Sequence, residues 1–322
     1  MSDQVASVGV MRSDRRVLAE RIRGRRDVER EERFRRRCRR VIMFVLALAL
    51  FCVVWEGYKW FGHAVGGRVF GWRLPARTDN GSMPHVWEVL RRFGKPERRG
   101  TGRSVLASVT AGSWFTFRVA MAGFAVGVVV GLALAVVMER FRFAERGLLP
   151  YVVLSQTVPL VALAPLVVGW GGNLTLFGVR WQLWMSVAVI AAYLAFFPVA
   201  VGGLRGLQAP SSESVELMES YAASWRQTLV KLRFPAAVPY LMPALKLAAA
   251  SSVVGAVVAE ISTGTKGGIG RLIIEYSREA TSDPAKVYTA MIGAAALGLA
   301  VAGLVGLLDL AVMRHRPKQA VE

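Results

Sequence analysis

The 32 residues from Gln208 to Pro239, QAPSSESVELMESYAASWRQTLVKLRFPAAVP, separate two runs that are each apolar enough to cross a bilayer. Pro210 followed by Ser211 and Ser212 is a helix-start signal, and Glu213 and Glu216 suit the positive end of a helix dipole. Leu217, Tyr221, Trp225 and Leu229 then recur every fourth residue, with Met218 and Ala222 beside them. The spacing predicts one amphipathic helix at the membrane surface. Its stripe needs cover, because burying a side chain such as Leu or Tyr is worth about 1.5–3 kcal/mol. Lipid, the chain's own helices or a groove on a partner would each supply it.

Outward from this segment the chain is dominated by uncharged runs of about 20 residues, the length a helix needs to climb a hydrocarbon core of about 30 Å. Six are expected: Val41 to about Phe61, Val119 to Met138, a third between Arg146 and Arg180 with a turn at Gly171, Gly172 and Asn173, Leu183 to Leu204, Pro239 to Glu260, and Val287 to Leu308. The fold class is therefore all-α integral membrane, a bundle of six transmembrane helices. The expected organisation is an Arg-rich cytoplasmic arm at 1–40, a first transmembrane helix at 41–62 and an extracytoplasmic segment at 63–104. A core follows at 105–313 with its cytoplasmic loop at 208–239, then a cytoplasmic tail at 314–322. Trp55, Tyr58 and Trp60 form an interfacial belt, Glu56 and Lys59 are spaced to pair, and Lys246 is placed to snorkel.

The arm holds 14 arginines against seven acids and sets both termini in the cytoplasm. The nine Lys and Arg between His63 and Ser104 oppose that orientation, and the arm outweighs them because it precedes the first span. Basic residues beside an apolar span meet anionic lipid, so membrane lipid and no nucleic acid is the expected partner.

Composition excludes several classes of function. With 322 residues that are 54% hydrophobic and 20% charged, and a mean hydropathy of +0.40, the chain is no soluble enzyme. His63, His85 and His315 have no metal-ligand spacing, and Cys38 and Cys52 sit in different solvents, which leaves no disulfide framework. Gly264-Thr265-Lys266-Gly267-Gly268-Ile269-Gly270 lacks the closing Lys-Ser/Thr of a phosphate-binding loop and reads as an outer turn. The chain is expected to be no enzyme and to bind no cofactor.

Small residues mark the helix faces that meet. Gly123, Gly127 and Gly131 lie on one face of the second span, Ala248, Ser252 and Ala256 beside Ser251, Gly255 and Ala259 on the fifth, and Gly298, Ala302 and Gly306 on the sixth. Polar groups in hydrocarbon are costly, and prolines free backbone carbonyls that a cavity or a neighbouring helix must satisfy. Gln156 and Thr157 before Pro159, with Ser251 and Ser252, are the candidates for a substrate pathway. Interhelical hydrogen bonds are the rival reading. Glu260, near the outer end of the fifth span, is a candidate gate or a salt-bridge partner of Arg271 or Lys266, and pairing is the expectation.

Glu216-Leu217-Met218, three residues, Ala222, nine residues, then Leu232-Arg233-Phe234-Pro235 resembles the EAA loop of ABC-importer permeases, whose pattern is E-A-A, three, G, nine, I-x-L-P. Leu217 and Met218 replace two alanines, Ala222 a glycine, Leu232 an isoleucine and Phe234 a leucine. The resemblance runs from about Phe117 to Asp309. It is nearest the nitrate, sulfonate and taurine type through VPLVALAPLVVGWGG (Val158 to Gly172), FPAAVPYLMPALKLA (Phe234 to Ala248) and VVAEISTGTKGGIGRLI (Val257 to Ile273). Ser220 to Leu241 is similar to permeases for vitamin-like heterocycles such as riboflavin or a thiamin pyrimidine precursor. Trp170-Gly171-Gly172 stands where that family has W-F-G.

The resemblance implies a type I importer: two permease subunits, a homodimer by the family default, with a cytosolic ABC ATPase dimer that uses ATP-Mg and an extracytoplasmic solute-binding protein. It assigns Glu216, Leu217, Met218, Tyr221, Ala222, Trp225 and Pro235 to ATPase coupling, and the localisation to a bacterial-type cytoplasmic (inner) membrane. An ion-coupled secondary transporter is the alternative. It calls for charges deep in several spans and an internal repeat, and the sequence shows only edge charges and no repeat.

Overall fold

The computed structural model describes residues 42–65, 78–98, 102–172, 174–176 and 178–313, together with 35, 38–39, 68–69 and 72–73. The rest of the Arg-rich arm, Asn173, Phe177, the tail at 314–322 and parts of the 63–104 segment lie outside the described residues. The chain divides into two units, residues 1–86 and 87–322.

The first unit holds helix α1 (Ile42–Ala64), followed by the two-residue strands β1 (Arg68–Val69) and β2 (Trp72–Arg73), paired antiparallel. Ile42, Phe44, Leu50 and Val53 of α1 are all exposed, as expected where lipid is the solvent. The last turns of α1 are tied to the segment after the strands: Trp55 Nε1 donates to the Pro84 carbonyl at 3.1 Å, and Glu56 accepts from the Val86 amide at 2.9 Å and pairs with His85 at 2.7 Å.

The second unit is a helical bundle. A short helix α2 (Val86–Phe93) leads to α3 (Val105–Arg140), capped by Ser104, whose hydroxyl accepts from the Ala107 amide. Next come α4 (Arg142–Leu154), a 3-10 turn at Ser155–Thr157, α5 (Leu160–Gly171) and a hairpin of β3 (Thr175–Leu176) and β4 (Val179–Arg180). Then follow α6 (Leu183–Leu207), α7 (Ser212–Ser220) and α8 (Trp225–Thr228). A π-helical turn at Leu229–Arg233 leads into α9 (Phe234–Thr263), α10 (Ile269–Arg278) and α11 (Pro284–Met313). Among the described residues five helices are long and apolar enough to cross a membrane, and the bent pair α4–α5 makes a sixth if it counts as one span.

Three spans depart from the expected limits. α3 begins well before Val119 and runs through Arg118, because a charged residue interrupts hydropathy without interrupting a helix. At 36 residues it is about 54 Å long and outreaches the hydrocarbon. The third span is broken by 102° between Thr157 and Leu160, where Pro159 starts a new helix. The fifth extends back through the prolines as one helix from Trp225 to Thr263.

α3, α6 and α9 form the centre of the bundle, with Ala120, Ile190, Ala191, Ala249, Val253 and Ala256 fully or almost fully buried between them. The glycine face of α3 meets α6: a Cβ on Gly123 would stand 2.5 Å from the Ala188 carbonyl, and one on Gly131 would stand 2.6 Å from that of Phe196. Ala248, Ser252, Gly255, Ala256 and Ala259 of α9 are buried as their stripe predicts. The third stripe is looser: among the described residues a Cβ on Gly298 of α11 would meet nothing within 4 Å, and one on Gly306 only the Lys246 side chain at 3.8 Å. Gly171 lies against the Trp181 indole, where any side chain would collide, which accounts for the small residue in the Trp170-Gly171-Gly172 turn.

Candidate functional site

The segment at 208–239 folds as two helical stretches, α7 and the one that runs from α8 into α9, and the reason is local. Ser211 caps α7, accepting from the Ser214 amide, and the first turn carries Glu213, whose carboxyl is held below the usual range by its own backbone amide and the Ser211 hydroxyl. The far end closes with Ala222 N–H donating to the Glu219 carbonyl at 2.8 Å and Ala223 N–H to the Met218 carbonyl at 3.0 Å. This pair of bonds is the Schellman stop, which places one residue in left-handed backbone. That residue is Ala222, at φ +52°. Ser224 then starts α8 with a reciprocal capping box: its hydroxyl accepts from the Gln227 amide and its own amide donates to Gln227 Oε1.

The single amphipathic helix expected from Ser211 to Leu229 is therefore corrected. The stop after α7 and the fresh cap of α8 supply local partners for backbone groups that the break at Ala222 would otherwise leave unsatisfied. The four-residue stripe is divided between two directions. Leu217 is 57% and Tyr221 78% exposed on or beside α7, with Glu216 and Ala222 also exposed and Met218 half-buried. Trp225 and Pro235 are half-buried and Leu229 is buried, all in the helix that continues into the bundle.

That second half is held firmly. Leu229 and Ala237 pack with Ala135 and Met138 of α3 and Leu204 and Leu207 of α6. A Cβ on Gly206 would stand 2.9 Å from Ala237, so only glycine allows α6 to meet α9 this closely. The Arg140 guanidinium lies 5.1 Å from the Trp225 ring centroid, a cation–π contact, and Arg233 pairs with Glu139 at 2.8 Å. The structure thus gives one helix with an uncovered apolar and acidic surface, hung from a base built into α3, α6 and α9. Glu139, Arg140 and Arg233 escaped the sequence reading. Their signal was opposite charge at the ends of two apolar runs.

The pathway candidates fall in two places. Gln156 and Thr157 are exposed in the 3-10 turn at the α4–α5 break, and the Ser155 carbonyl there accepts both from the Val158 amide at 3.3 Å and from the Tyr193 hydroxyl of α6. This is the neighbouring-helix solution to a broken span. Alongside, Arg142, Glu145, Arg146 and Leu149 of α4 line an open cavity of about 810 Å³. Ser251 is half-buried on α9, whereas Ser252 has no exposed surface and its hydroxyl donates to the Ala249 carbonyl of its own helix at 2.8 Å.

Two charged residues differ from expectation. Glu260 forms no pair with Arg271, which binds Glu275 instead at 2.8 Å, and its carboxylate accepts from Thr116 and from the Gly270 amide in a fully buried position. Gly268 and Gly270 leave the space it fills. Lys246 reaches Asp309 of α11 at 2.5 Å rather than snorkelling, because the longer α9 sets it well inside the helix.

Residues 127–314, more than half of the chain, match the family described as binding-protein-dependent transport system inner membrane component. The chain belongs to this family. The matched region of the permease includes the α7–α9 segment and the broken span. It is 33% identical to the formylaminopyrimidine transport permease protein ThiX of Halalkalibacterium halodurans over 145 residues, 45% of this chain and 54% of that protein. It is 29% identical to the riboflavin transport system permease protein RibX of Chloroflexus aurantiacus over 54% of this chain and 60% of that protein. The nitrate import permease protein NrtB of Synechocystis is 23% identical over 87% of this chain and 92% of its own length. The chain thus spans little more than half the length of the first of these relatives. As a permease of this family it is a multi-pass inner membrane protein.

Proposed function

We propose that this permease is the membrane subunit of an ATP-driven, binding-protein-dependent importer, and that α7 is its docking helix for a cytosolic ABC ATPase. The observation that carries the reading is the division at Ala222: Leu217 and Tyr221 stand uncovered on one side of it while Trp225 and Leu229 are fixed in the bundle on the other. Covering what Leu217 and Tyr221 expose in a partner's groove would contribute at most about 3–6 kcal/mol before the cost of association, so they would act as anchors within a larger contact. Glu216 adds a carboxylate on the exposed side.

In this reading a cytosolic ATPase dimer binds and hydrolyses ATP-Mg, and its closure moves α7. An extracytoplasmic binding protein delivers solute to the opposite face, and a second copy of the permease completes the pathway. Both termini then lie in the cytoplasm. The solute is a small organic molecule or oxyanion, the class spanned by the formylaminopyrimidine, riboflavin and nitrate named for its relatives. This reading assigns Gln156, Thr157 and Ser251, which are exposed or half-buried, to the pathway, and leaves the buried Ser252 to packing. ATP shifts the two-state equilibrium through its differential affinity for the closed ATPase pair.

The test is uptake into proteoliposomes that hold the full chain with its ATPase and binding protein. Uptake that needs internal ATP and survives collapse of the ion gradients supports the reading. Uptake that needs a gradient and no ATP establishes the secondary transporter instead.

A further inference from the structure

Arg233 occupies the one position in the Leu232-Arg233-Phe234-Pro235 run that the permease pattern leaves unspecified, and it makes directed contacts to the ends of two other helices. It lies at the end of the π-helical turn, an irregularity that widens the helix and turns its side chain toward two neighbours. One nitrogen, Nη1, donates to Glu139 Oε1 at 2.8 Å and to the Leu207 backbone carbonyl at 3.1 Å. Glu139 is the penultimate residue of α3, and Leu207 is the last of α6. Both acceptors belong to helix ends, where Leu207 offers a carbonyl that has no partner within its own helix. The Glu139 side chain is 4% exposed, so removing Arg233 would leave a buried carboxyl without its ion-pair partner.

We propose that Arg233 is the positioning residue that carries displacement of α7 into the ends of α3 and α6. The route is short: α7, the Ala222 stop, the capped Trp225 turn, then Arg233. Trp225 is fixed by Arg140, the residue next to Glu139, so two consecutive residues of α3 grip the same segment. Arg233 Nε and Glu139 Oε2 are buried without a partner, which means the fork of the guanidinium is not matched to the carboxylate in this arrangement. Those two unused atoms are the ones a two-bond, fork-to-carboxylate arrangement of the same pair would join, and that arrangement is the second state of the proposed joint. A packed joint with two hydrogen-bonded arrangements transmits a push as a switch rather than as a bend. Lysine, a point charge without a fork, would keep the attraction to Glu139 and lose the geometry.

The proposal rests on the docking role of α7, and its test separates the two. In the full chain with Cys38 and Cys52 replaced by serine, spin labels are placed singly at Ser220→Cys on α7 and at Phe141→Cys at the end of α3. The spectra are read in complex with the ATPase before and after trapping with ATP and orthovanadate. In the Arg233 chain both labels respond. In Arg233→Gln the response at 220 is retained while that at 141 falls about fivefold or more, and Arg233→Lys restores part of it. Glu139→Gln gives the same loss at 141, and adding it to Arg233→Gln makes the loss no larger, the behaviour of one shared linkage. An undiminished response at 141 in Arg233→Gln overturns the proposal. So does loss of ATPase co-purification in both Arg233→Gln and Arg233→Lys, which would make Arg233 a docking or folding residue. If the unsubstituted chain retains no ATPase, or its label at 220 gives no response, the docking role itself fails and the linkage falls with it.

Discussion

Thr116 of α3 and Glu260 of α9, 144 residues apart in sequence, share one buried hydrogen-bond relay: the Thr116 hydroxyl donates to the Glu260 carboxylate at 2.8 Å and accepts from the Ile269 amide at 2.9 Å. The Gly270 amide donates to the same carboxylate at 2.8 Å, so both first amides of α10 are satisfied by side chains from other helices. One carboxylate thereby ties α3, α9 and α10 together at the end of the bundle opposite α7. Removing it strands buried donors, each costing about 1–3 kcal/mol. Glu260→Ala is expected to lower the unfolding temperature in detergent clearly more than Thr116→Val does, with Glu260→Gln between wild type and Ala. An Ala variant as stable as wild type would show that the relay holds nothing.

Ala222 stands in left-handed backbone where the permease pattern has glycine. An L residue there carries a Cβ penalty of about 1 kcal/mol. Ala222→Gly is expected to stabilise the α7 stop and leave ATPase binding intact, whereas Ala222→Val weakens both. The check is protease sensitivity of the 208–239 segment together with ATPase co-purification, and protection by valine would contradict the geometry.

Lys246 and Asp309 join α9 to α11. Asp309 Oδ1 is buried without a partner, so loss of the lysine leaves a poorly compensated charge. Lys246→Met alone is expected to destabilise by about 1–3 kcal/mol, discounted because Lys246 is partly exposed, and the double variant Lys246→Met with Asp309→Leu to recover most of that. Thermal unfolding of Lys246→Met, Asp309→Leu and the double variant in one detergent decides it, and strict additivity would contradict a coupled pair.

Glu97 accepts from Ser108 at 2.5 Å and from the Tyr276 hydroxyl at 2.9 Å. Burial raises its pKa, but these two bonds with Lys286 and Arg103 nearby outweigh that and hold it below the ordinary carboxylate value, while burial and Glu97 together push the Tyr276 hydroxyl upward. A lowered carboxylate pKa stabilises the fold above the unfolded value of about 4.3 and loses that contribution as pH falls through the folded value. The stability difference between wild type and Glu97→Gln should therefore be largest near neutral pH and shrink below about pH 4. A difference that grows on acidification would reverse the sign.

The sequence carried the bundle and the close α3–α6 contact, because an uncharged run of 20 residues and a glycine every fourth position have few other physical outcomes. It also located the segment that protrudes, through the Glu216 to Pro235 spacing. It missed the division of that segment, since a four-residue period survives a turn that happens to preserve it. Ala222 was legible only as small for small, when backbone φ and not size is what glycine supplies there. The partners of Glu260, Lys246 and Arg233 were hidden for a different reason: each lies in another helix, and single-sequence pattern gives faces but not the register between helices.

What touches Tyr221 in the membrane bears most directly on the docking role of α7. A photo-crosslinking amino acid placed at Tyr221, with Val254 on the exposed face of α9 as control, should capture the ATPase from position 221 and not from 254. Capture of lipid at 221, or the same products from both positions, would contradict a helix that docks on a cytosolic partner.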